Sequence, residues 1–371
     1  MSMQASSRLI VNLLACVSIG GFLCFPILGS AVTLPANYPR LANYYLTSPI
    51  TIAEAKELAR WDVLVLGAQL QQTNPEIFPI LRELNPDIIL LAYVASEELP
   101  AAYRSLADPR DPRALLASGV SDSWFLKSAD DTPLSNWPGT TMLNVTLSAP
   151  VVDGQQWNSY LPSFVHTTIL STKLWNGVFY DNVWPDISWL NGGNVDANND
   201  GRADTSADLD AAWAEGMSSL LAYSRRLEGN DAIIIGNGGG QYYTSMNGRL
   251  MEGFPSASEG GWTGCMKKYI DVLRRGAAPP TVIVNGNSTT GASTDYRAMR
   301  FAFASTLLGD GFFSFDFGPE RHADLWWYDE YSVQLGKPVS VRTNIVKPSS
   351  STIEPGIWRR DFENGIVLLN S

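Results

Sequence analysis

Histidine is almost missing from this chain, which carries two, His166 and His322, in 371 residues. Two imidazoles cannot furnish a three-histidine zinc site, and neither stands in an HExxH spacing, so the sequence offers no hydrolytic zinc centre. His166 falls in a helix-like stretch and reads as structural. No GxSxG elbow occurs, and the late Cys265 has no evident histidine partner, which argues against Ser or Cys acyl transfer. No expected strand end carries a lysine for Schiff-base chemistry. The glycine-rich stretch 236–240 lacks both the phosphate-loop lysine and the GxGxxG spacing, and reads as a loop that lets backbone approach a site. Basic residues are also few: 26 Lys and Arg face 37 Asp and Glu, giving a net charge of −11 and a pI near 4.7. With no Lys/Arg run, the surface repels nucleic acid on average and suits a neutral or cationic partner.

What is present is a globular composition. Residues are 45% hydrophobic and 17% charged, with 12 tryptophans, enough apolar surface for one large domain or one with a small appendage. Arg8 precedes an almost uncharged stretch over 9–32 that closes on Gly29-Ser30-Ala31. This reads as an export signal over 1–31 with a small-x-small cleavage site, which places the mature protein outside the cytoplasm, secreted or in the cell envelope. The stretch also approaches the roughly 20 residues that span a bilayer, so an uncleaved N-terminal anchor is the alternative and the one expected membrane contact. Leu13-Leu14-Ala15-Cys16 has the outline of a lipoprotein box, but the residues after Cys16 stay apolar where a mature lipoprotein turns polar. Cleavage removes Cys16 and Cys24 and takes the net charge to −12. Cys265 is then alone, no internal disulfide forms, and stability rests on the core.

Apolar strand-like runs alternate with helical patterns from residue 61 onward. Strands are expected at 61–68, 88–94, 141–146, 177–182, 232–236, 250–253, 281–285 and 311–316, with helices notably at 75–84, 208–227 and 295–308 and an inserted hairpin at 124–138. Eight strands with this rhythm predict a (β/α)8 barrel over 32–345. An open doubly wound sheet is the rival, and the missing glycine fingerprint after the first strand counts against it. A hairpin over 358–369, turning at Glu363-Asn364-Gly365, predicts a short C-terminal β element that begins within 346–371.

The C-terminal strand ends of such a barrel gather its catalytic groups. Those ends supply Gln69; Tyr93 followed by Glu97 and Glu98; Asn144; Asp181 with Asn182; Asn237; Glu252; Asn285 and Asn287; and Asp316. Asp181 stands out, because it stops the apolar run GVFY, where a carboxylate costs too much unless it meets a polar mouth. Asp181 with Glu252 makes a pair of carboxylates suited to acid and nucleophile or base work on a glycosidic bond. Glu259 is a rival to Glu252. Asp316 either meets substrate or pairs with Arg321, and Asp329 and Glu330 look like an exposed helix start. Tyr93, Asn144, Asn182, Asn237, Asn285 and Asp316 are the expected ligands of sugar hydroxyls. Trp184, Trp189, Trp262, Trp326 and Trp327 fall in loops on the same face, where amphipathic rings are platforms for sugars; Trp184 and Trp262 are the leading candidates.

Asp196, Asn198, Asp200 and Asp204 form a DxNxDGxxD loop, the first half of an EF-hand-type calcium loop. Position twelve is Ala207, so a structural Ca2+ that stiffens the loop is weighed against a solvated acidic turn.

GVFYDNVW with this loop, then LMEGFP, GFFSFDFG, WWYDEYSVQLGKP and WRRDFENGIVLLNS, resembles the bacterial barrels classed as a hypothetical glycosyl hydrolase family. The resemblance covers most of the chain from about Tyr44. A looser similarity extends to endo-polygalactosaminidase-like and α-galactosidase-like barrels, in which an Asp ending strand four acts with an acid near strand six. It implies Asp181 as nucleophile or base and Glu252 as proton donor, although the α-galactosidase-like barrels have Asp where this chain has Glu252. The expectation is a glycoside hydrolase acting on an extracellular or envelope polysaccharide with no catalytic cofactor. The alternatives are a barrel that binds polysaccharide for export or modification without cutting it, and a transferase whose acceptor sugar replaces water.

Overall fold

In the computed structural model, which describes residues 32–238, 240–349 and 351–371, the apolar runs form one parallel sheet of eight strands. These are β1 (Ala42–Tyr45), β2 (Val63–Gly67), β3 (Ile89–Ala95) and β4 (Gly177–Val183). They continue as β5 (Ile233–Gly238), β6 (Gly248–Phe254), β7 (Ile283–Asn287) and β8 (Phe312–Asp316). The strands pair in chain order, and a parallel bridge between Leu41 and Phe313 draws the last against the first. There the Phe313 amide donates to the Arg40 carbonyl at 2.9 Å. The expected (β/α)8 barrel is therefore the fold, nearly closed. The segment 1–31, where the export signal is expected, lies outside the described residues.

Both faces of each strand are buried, for different reasons. Ala42, Tyr44, Val63, Val65, Ile89, Leu91, Phe179, Ile233, Ile235, Leu250, Ile283 and Phe312 fill the barrel interior. Their neighbours Leu64, Leu66, Leu90, Val178, Tyr180, Ile234, Met251 and Val284 point outward under the helices. Double coverage is why these strands read as unbroken apolar runs, and each fully buried Leu, Ile or Phe contributes roughly 1.5–3 kcal/mol. The covering helices are α1 (Ile52–Leu58), α2 (Ile77–Leu84), α3 (Trp157–Phe164), α4 (Ser206–Glu228), α5 (Gly261–Arg275) and α6 (Tyr296–Leu307). Their starts follow local chemistry: Thr51 and Glu54 form a capping box on α1, Thr205 caps α4, and Asp295 caps α6. Among the described residues no helix is long and apolar enough to cross a membrane.

Two strand expectations are corrected. The stretch 141–146 is not a barrel strand: Thr140–Met142 pairs antiparallel with Glu98–Pro100, in a ribbon that belongs to the long insertion after β3. The barrel strand missed by the sequence reading is β1. Its four residues are too short for a periodic signal, and Asn43 interrupts their apolar character; that side chain is buried and donates to the Asp324 carbonyl at 3.0 Å. The two errors cancel in the count, so Asp181 lies on β4 and Glu252 on β6 as expected.

The chain ends in a three-stranded antiparallel sheet, β9 (Thr343–Asn344), β10 (Ile357–Phe362) and β11 (Gly365–Asn370). Arg360 of β10 is buried and docks the sheet: its guanidinium donates to the carbonyls of Leu307 and Gly309 at the C-terminal end of α6 and meets Asp310 at 2.6 Å. The unsatisfied carbonyls and partial negative charge of a helix end favour a cation there. Tyr38 completes the contact, donating to Asp310 at 2.7 Å while its ring packs on Phe362 at 5.4 Å. Replacing Arg360 with Ala strands these acceptors, and the expected loss of about 2–4 kcal/mol is read as a lower Tm in thermal melts. Arg360→Lys restores part of it, because an ammonium cannot span all three acceptors in the planar fork of a guanidinium.

Candidate functional site

The strands that carry Asp181 and Glu252 share a construction. At their N-terminal ends only glycine fits: a Cβ on Gly177 would lie 1.9 Å from the Ile233 carbonyl oxygen, and one on Gly248 1.7 Å from that of Thr281. At their C-terminal ends each strand breaks register with its neighbour, β4 with β5 between Tyr180 and Val183, and β6 with β7 between Met251 and Phe254. The residue after each acid is left-handed, Asn182 at φ 58° and Gly253 at φ 63°, a region that Asn and Gly tolerate best. Such irregularities re-aim side chains at barrel rims. Here they turn both carboxyl groups into one cleft of about 360 Å3, lined also by Tyr44, Tyr93, Glu98, Asn136, Trp137, Asn182, Trp184, Asn237 and His322.

Asp181 is held from three sides. The Tyr93 hydroxyl donates to its Oδ2 at 2.6 Å, the Asn182 amide donates to its Oδ1 at 2.9 Å, and the Asn237 amide stands close enough to act on it as well. Burial still pushes its pKa above the usual carboxylate range, against the pull of Tyr93 and Asn237, and the charge on Glu252 adds to the rise. Glu252 goes the other way. Burial raises it, but His322, by hydrogen bond and charge, and Asn237, whose amide donates to Oε2 at 2.7 Å, carry it below its ordinary value. Glu98, on the insertion ribbon, is raised by burial, with Thr140 opposing at 3.0 Å and the charge of Asp181 reinforcing. Glu97 is fully buried behind the kink and pushed far up by that burial; Ser96 Oγ lies 2.8 Å from its Oε2 and 3.1 Å from the Asn182 carbonyl.

His322 is the residue that the sequence reading missed. Its Nδ1 lies 2.7 Å from Asp316 Oδ2 and its Nε2 3.3 Å from Glu252 Oε1, and its ring stands 4.1 Å from that of Tyr44. Burial alone would lower its pKa, but Asp316 and Glu252 push it up to about 9. It follows Asp316 by six residues but lies far along the chain from Glu252, so no short motif marks it. Trp137 was missed as well: it sits past the tip of the expected inserted hairpin, 58% exposed, over the cleft.

Of the residues expected in the site, Tyr93, Asp181, Asn182, Trp184, Asn237 and Glu252 line the cleft together. Asp316 and Asn285 are buried beneath it: Asn285 and Asn287 donate to the Asp316 carboxylate, which serves His322 and not Arg321, whose partner is Asp324 at 2.9 Å. Asn144 is displaced because its stretch is not a barrel strand; its amide donates to the Ala197 carbonyl at 2.7 Å and its Oδ1 accepts from Thr146. Trp262 points out of the mouth, donating to Ser305 at 3.0 Å and packing against Trp358. Trp327 is likewise a packing residue, against Trp61 and Tyr331. The rival acid Glu259 is spent on Arg249 at 2.9 Å and Lys268 at 3.3 Å.

In the acidic loop, Asp196 accepts from the amides of Asp200 and Gly201, and Asp204 from the amide of Ala197 and the side chain of Asn198. These bonds close the loop with its own donors, and among the described residues no three acidic, His or Cys side chains converge as metal ligands. Bonding of this kind predicts equal Tm in calcium and in chelator; a chelator-dependent fall, absent in Asp196→Ala, would put an ion there. The His322 contacts make a second prediction. A pKa raised from 6.5 to about 9 on folding contributes stability that is complete below pH 6.5 and is lost as pH climbs through 9. The Tm difference between the parent and His322→Gln therefore shrinks as melts move from pH 6 to pH 9.5.

Comparison with solved structures finds distant likenesses among carbohydrate-active proteins. A GH36 α-galactosidase, AgaA of Geobacillus stearothermophilus, in complex with raffinose, is 11% identical with a TM-score of 0.48, covering 87% of this chain and 45% of the other. The cycloalternan-forming enzyme of Listeria monocytogenes is 9% identical with a TM-score of 0.45, covering 80% of this chain and 30% of the other. The chitinase domain of the spore coat protein CotE of Clostridium difficile is 13% identical with a TM-score of 0.33, covering 70% and 68%. The chain thus spans less than half the length of the first two. No curated protein matches it by sequence. The family model described as hypothetical glycosyl hydrolase family 15 matches residues 82–366. That match takes in most of the barrel and the C-terminal sheet, and the chain belongs to the hypothetical glycosyl hydrolase family 15.

Proposed function

We propose that the protein hydrolyses glycosidic bonds of an extracytoplasmic oligo- or polysaccharide, with Asp181 and Glu252 as the reacting pair. The observation that carries this reading is that two carboxyl groups share one cleft while their surroundings push their pKa values in opposite directions. Carboxyl groups whose environments push their pKa values apart are the pattern of an acid working beside a nucleophile or base. The Asn237 amide donates to Glu252 and also acts on Asp181, so the two groups are neighbours across the cleft, the arrangement that a retaining pair requires. Glu252 lines the cleft and is not turned into the core, the placement that cutting requires.

The walls suit sugar. Trp137 and Trp184 offer flat amphipathic faces, and the Asn and Tyr side chains can meet hydroxyl groups. Asp181, Glu252 and Glu98 face the cleft, and among the described residues no Lys or Arg lines it. Uronate or sulfated sugars are therefore repelled, while neutral or amine-bearing ones are admitted. The export signal read over 1–31 supports a substrate outside the cytoplasm.

Incubation with neutral, acidic and amino-sugar polymers, reading reducing ends, tests the activity. Cleavage is expected for a neutral or amine-bearing polymer, with retention of anomeric configuration by NMR. Asp181→Asn and Glu252→Gln are each expected to lose about 10²-fold to 10⁴-fold in kcat/KM. If both match the parent on a substrate that is cleaved, the pair is misassigned; binding without cleavage of any polymer supports a binding barrel instead.

A further inference from the structure

The two nitrogens of His322 each face a carboxylate, Asp316 on one side and Glu252 on the other. A neutral imidazole has one N–H and can satisfy one of them; the imidazolium has two and satisfies both. Asp316 cannot turn away without losing partners, since Asn287 donates to Oδ1 at 2.7 Å and Asn285 to Oδ2 at 3.2 Å. The Leu46 amide pins the His322 carbonyl at 2.7 Å and the Tyr44 ring covers the imidazole from β1. The neighbouring cation, Arg321, is turned to Asp324. Glu252 thus has a fixed cation against it. Asp181 has none among the described residues: its partners are a phenol and amides, and the charge nearest in effect is that of Glu252 itself.

We infer that His322, seated by Asp316, is a positioning residue that holds Glu252 as the carboxylate and leaves the proton with Asp181. The assignment rests on the two-carboxylate hydrolysis proposed above, and it reverses the roles implied by the resemblance to α-galactosidase-like barrels. In the first step a Glu252 oxygen bonds the anomeric carbon, the glycosidic C–O bond breaks with its electron pair going to the leaving oxygen, and Asp181 gives its proton to that oxygen. In the second, a water oxygen bonds the anomeric carbon and its proton passes to Asp181, while the ester bond breaks and its pair returns to Glu252. A protonated Asp181 keeps the acceptor capacity that Tyr93 and the Asn182 amide require.

The scarcity of histidine makes the test clean. In a His166→Gln background, nitrogen-15 NMR of the free protein follows one imidazole. His322 is expected to stay doubly protonated past pH 8, and to titrate lower by about one pH unit or more in Glu252→Gln and in Asp316→Asn. Titration near 6.5, or indifference to Glu252→Gln, overturns the ion pair and leaves hydrolysis standing. On a polymer that is cleaved, His322→Gln should move the acid limb of the kcat/KM profile upward by about one pH unit or more, which a purely structural role would not do. Azide assigns the roles: Glu252→Ala should yield a glycosyl azide of inverted configuration and Asp181→Ala one of retained configuration, and the opposite pairing overturns the assignment. If no polymer is cleaved, the hydrolytic reading and the roles fall together, while the NMR result still decides the ion pair.

Discussion

Desolvation at the mouth of the barrel is the constraint on which the site depends. The strands are apolar on both faces along most of their length, so a polar side chain there meets neither water nor a partner until the strand reaches its C-terminal end. Asp181, Glu252, Asp316 and His322 all sit at or just past that limit. For Asp181, Glu252 and His322 the burial is enough for each hydrogen bond and each charge to move a proton equilibrium, and the cleft keeps Asp181 and Glu252 open to a ligand. In a wetter position Asp181, Glu252 and His322 would each titrate nearer their ordinary values.

Backbone irregularity converts that location into direction. A regular strand would alternate its side chains between interior and helix layer, placing an acid in one apolar layer or the other. The register breaks after Tyr180 and Met251, with Asn182 and Gly253 in the left-handed region, release Asp181 and Glu252 from that alternation. The strain of a left-handed Asn182 is set against the bonds that hold Asp181 and the Asn182 carbonyl in place. At the opposite end of the barrel, Arg360 ties the C-terminal sheet to the end of α6 and to the segment leading into β8, the strand that delivers Asp316. The seat of His322 and the docking of the last sheet thus share one piece of chain.

Legibility in the sequence tracked how local each signal is. Long doubly covered strands announce themselves by composition, and seven of the barrel strands were readable for that reason. The four residues of β1 were not, because Asn43 is tolerated there only through a carbonyl almost three hundred residues away. Asp181 was visible as a carboxylate that stops an apolar run, and Glu252 as an acid in the matching place. Trp262 illustrates the converse: a loop tryptophan reads alike whether it faces a cleft or, as here, a second tryptophan on the C-terminal sheet.

By itself the sequence determined the class of fold, the strand ends at which polar chemistry is affordable, and the argument against a three-histidine zinc site or a serine or cysteine nucleophile, since these follow from residue type and short-range spacing. The tertiary structure decided which polar groups meet. It withdrew Asn144 and Trp262 from the cleft, set Asn285 and Asp316 beneath it, and brought in Glu98, Trp137 and His322. It also placed the one imidazole of the site against Glu252 and not Asp181, because such a contact depends on the distance to groups remote in sequence, and only closure of the barrel sets those distances.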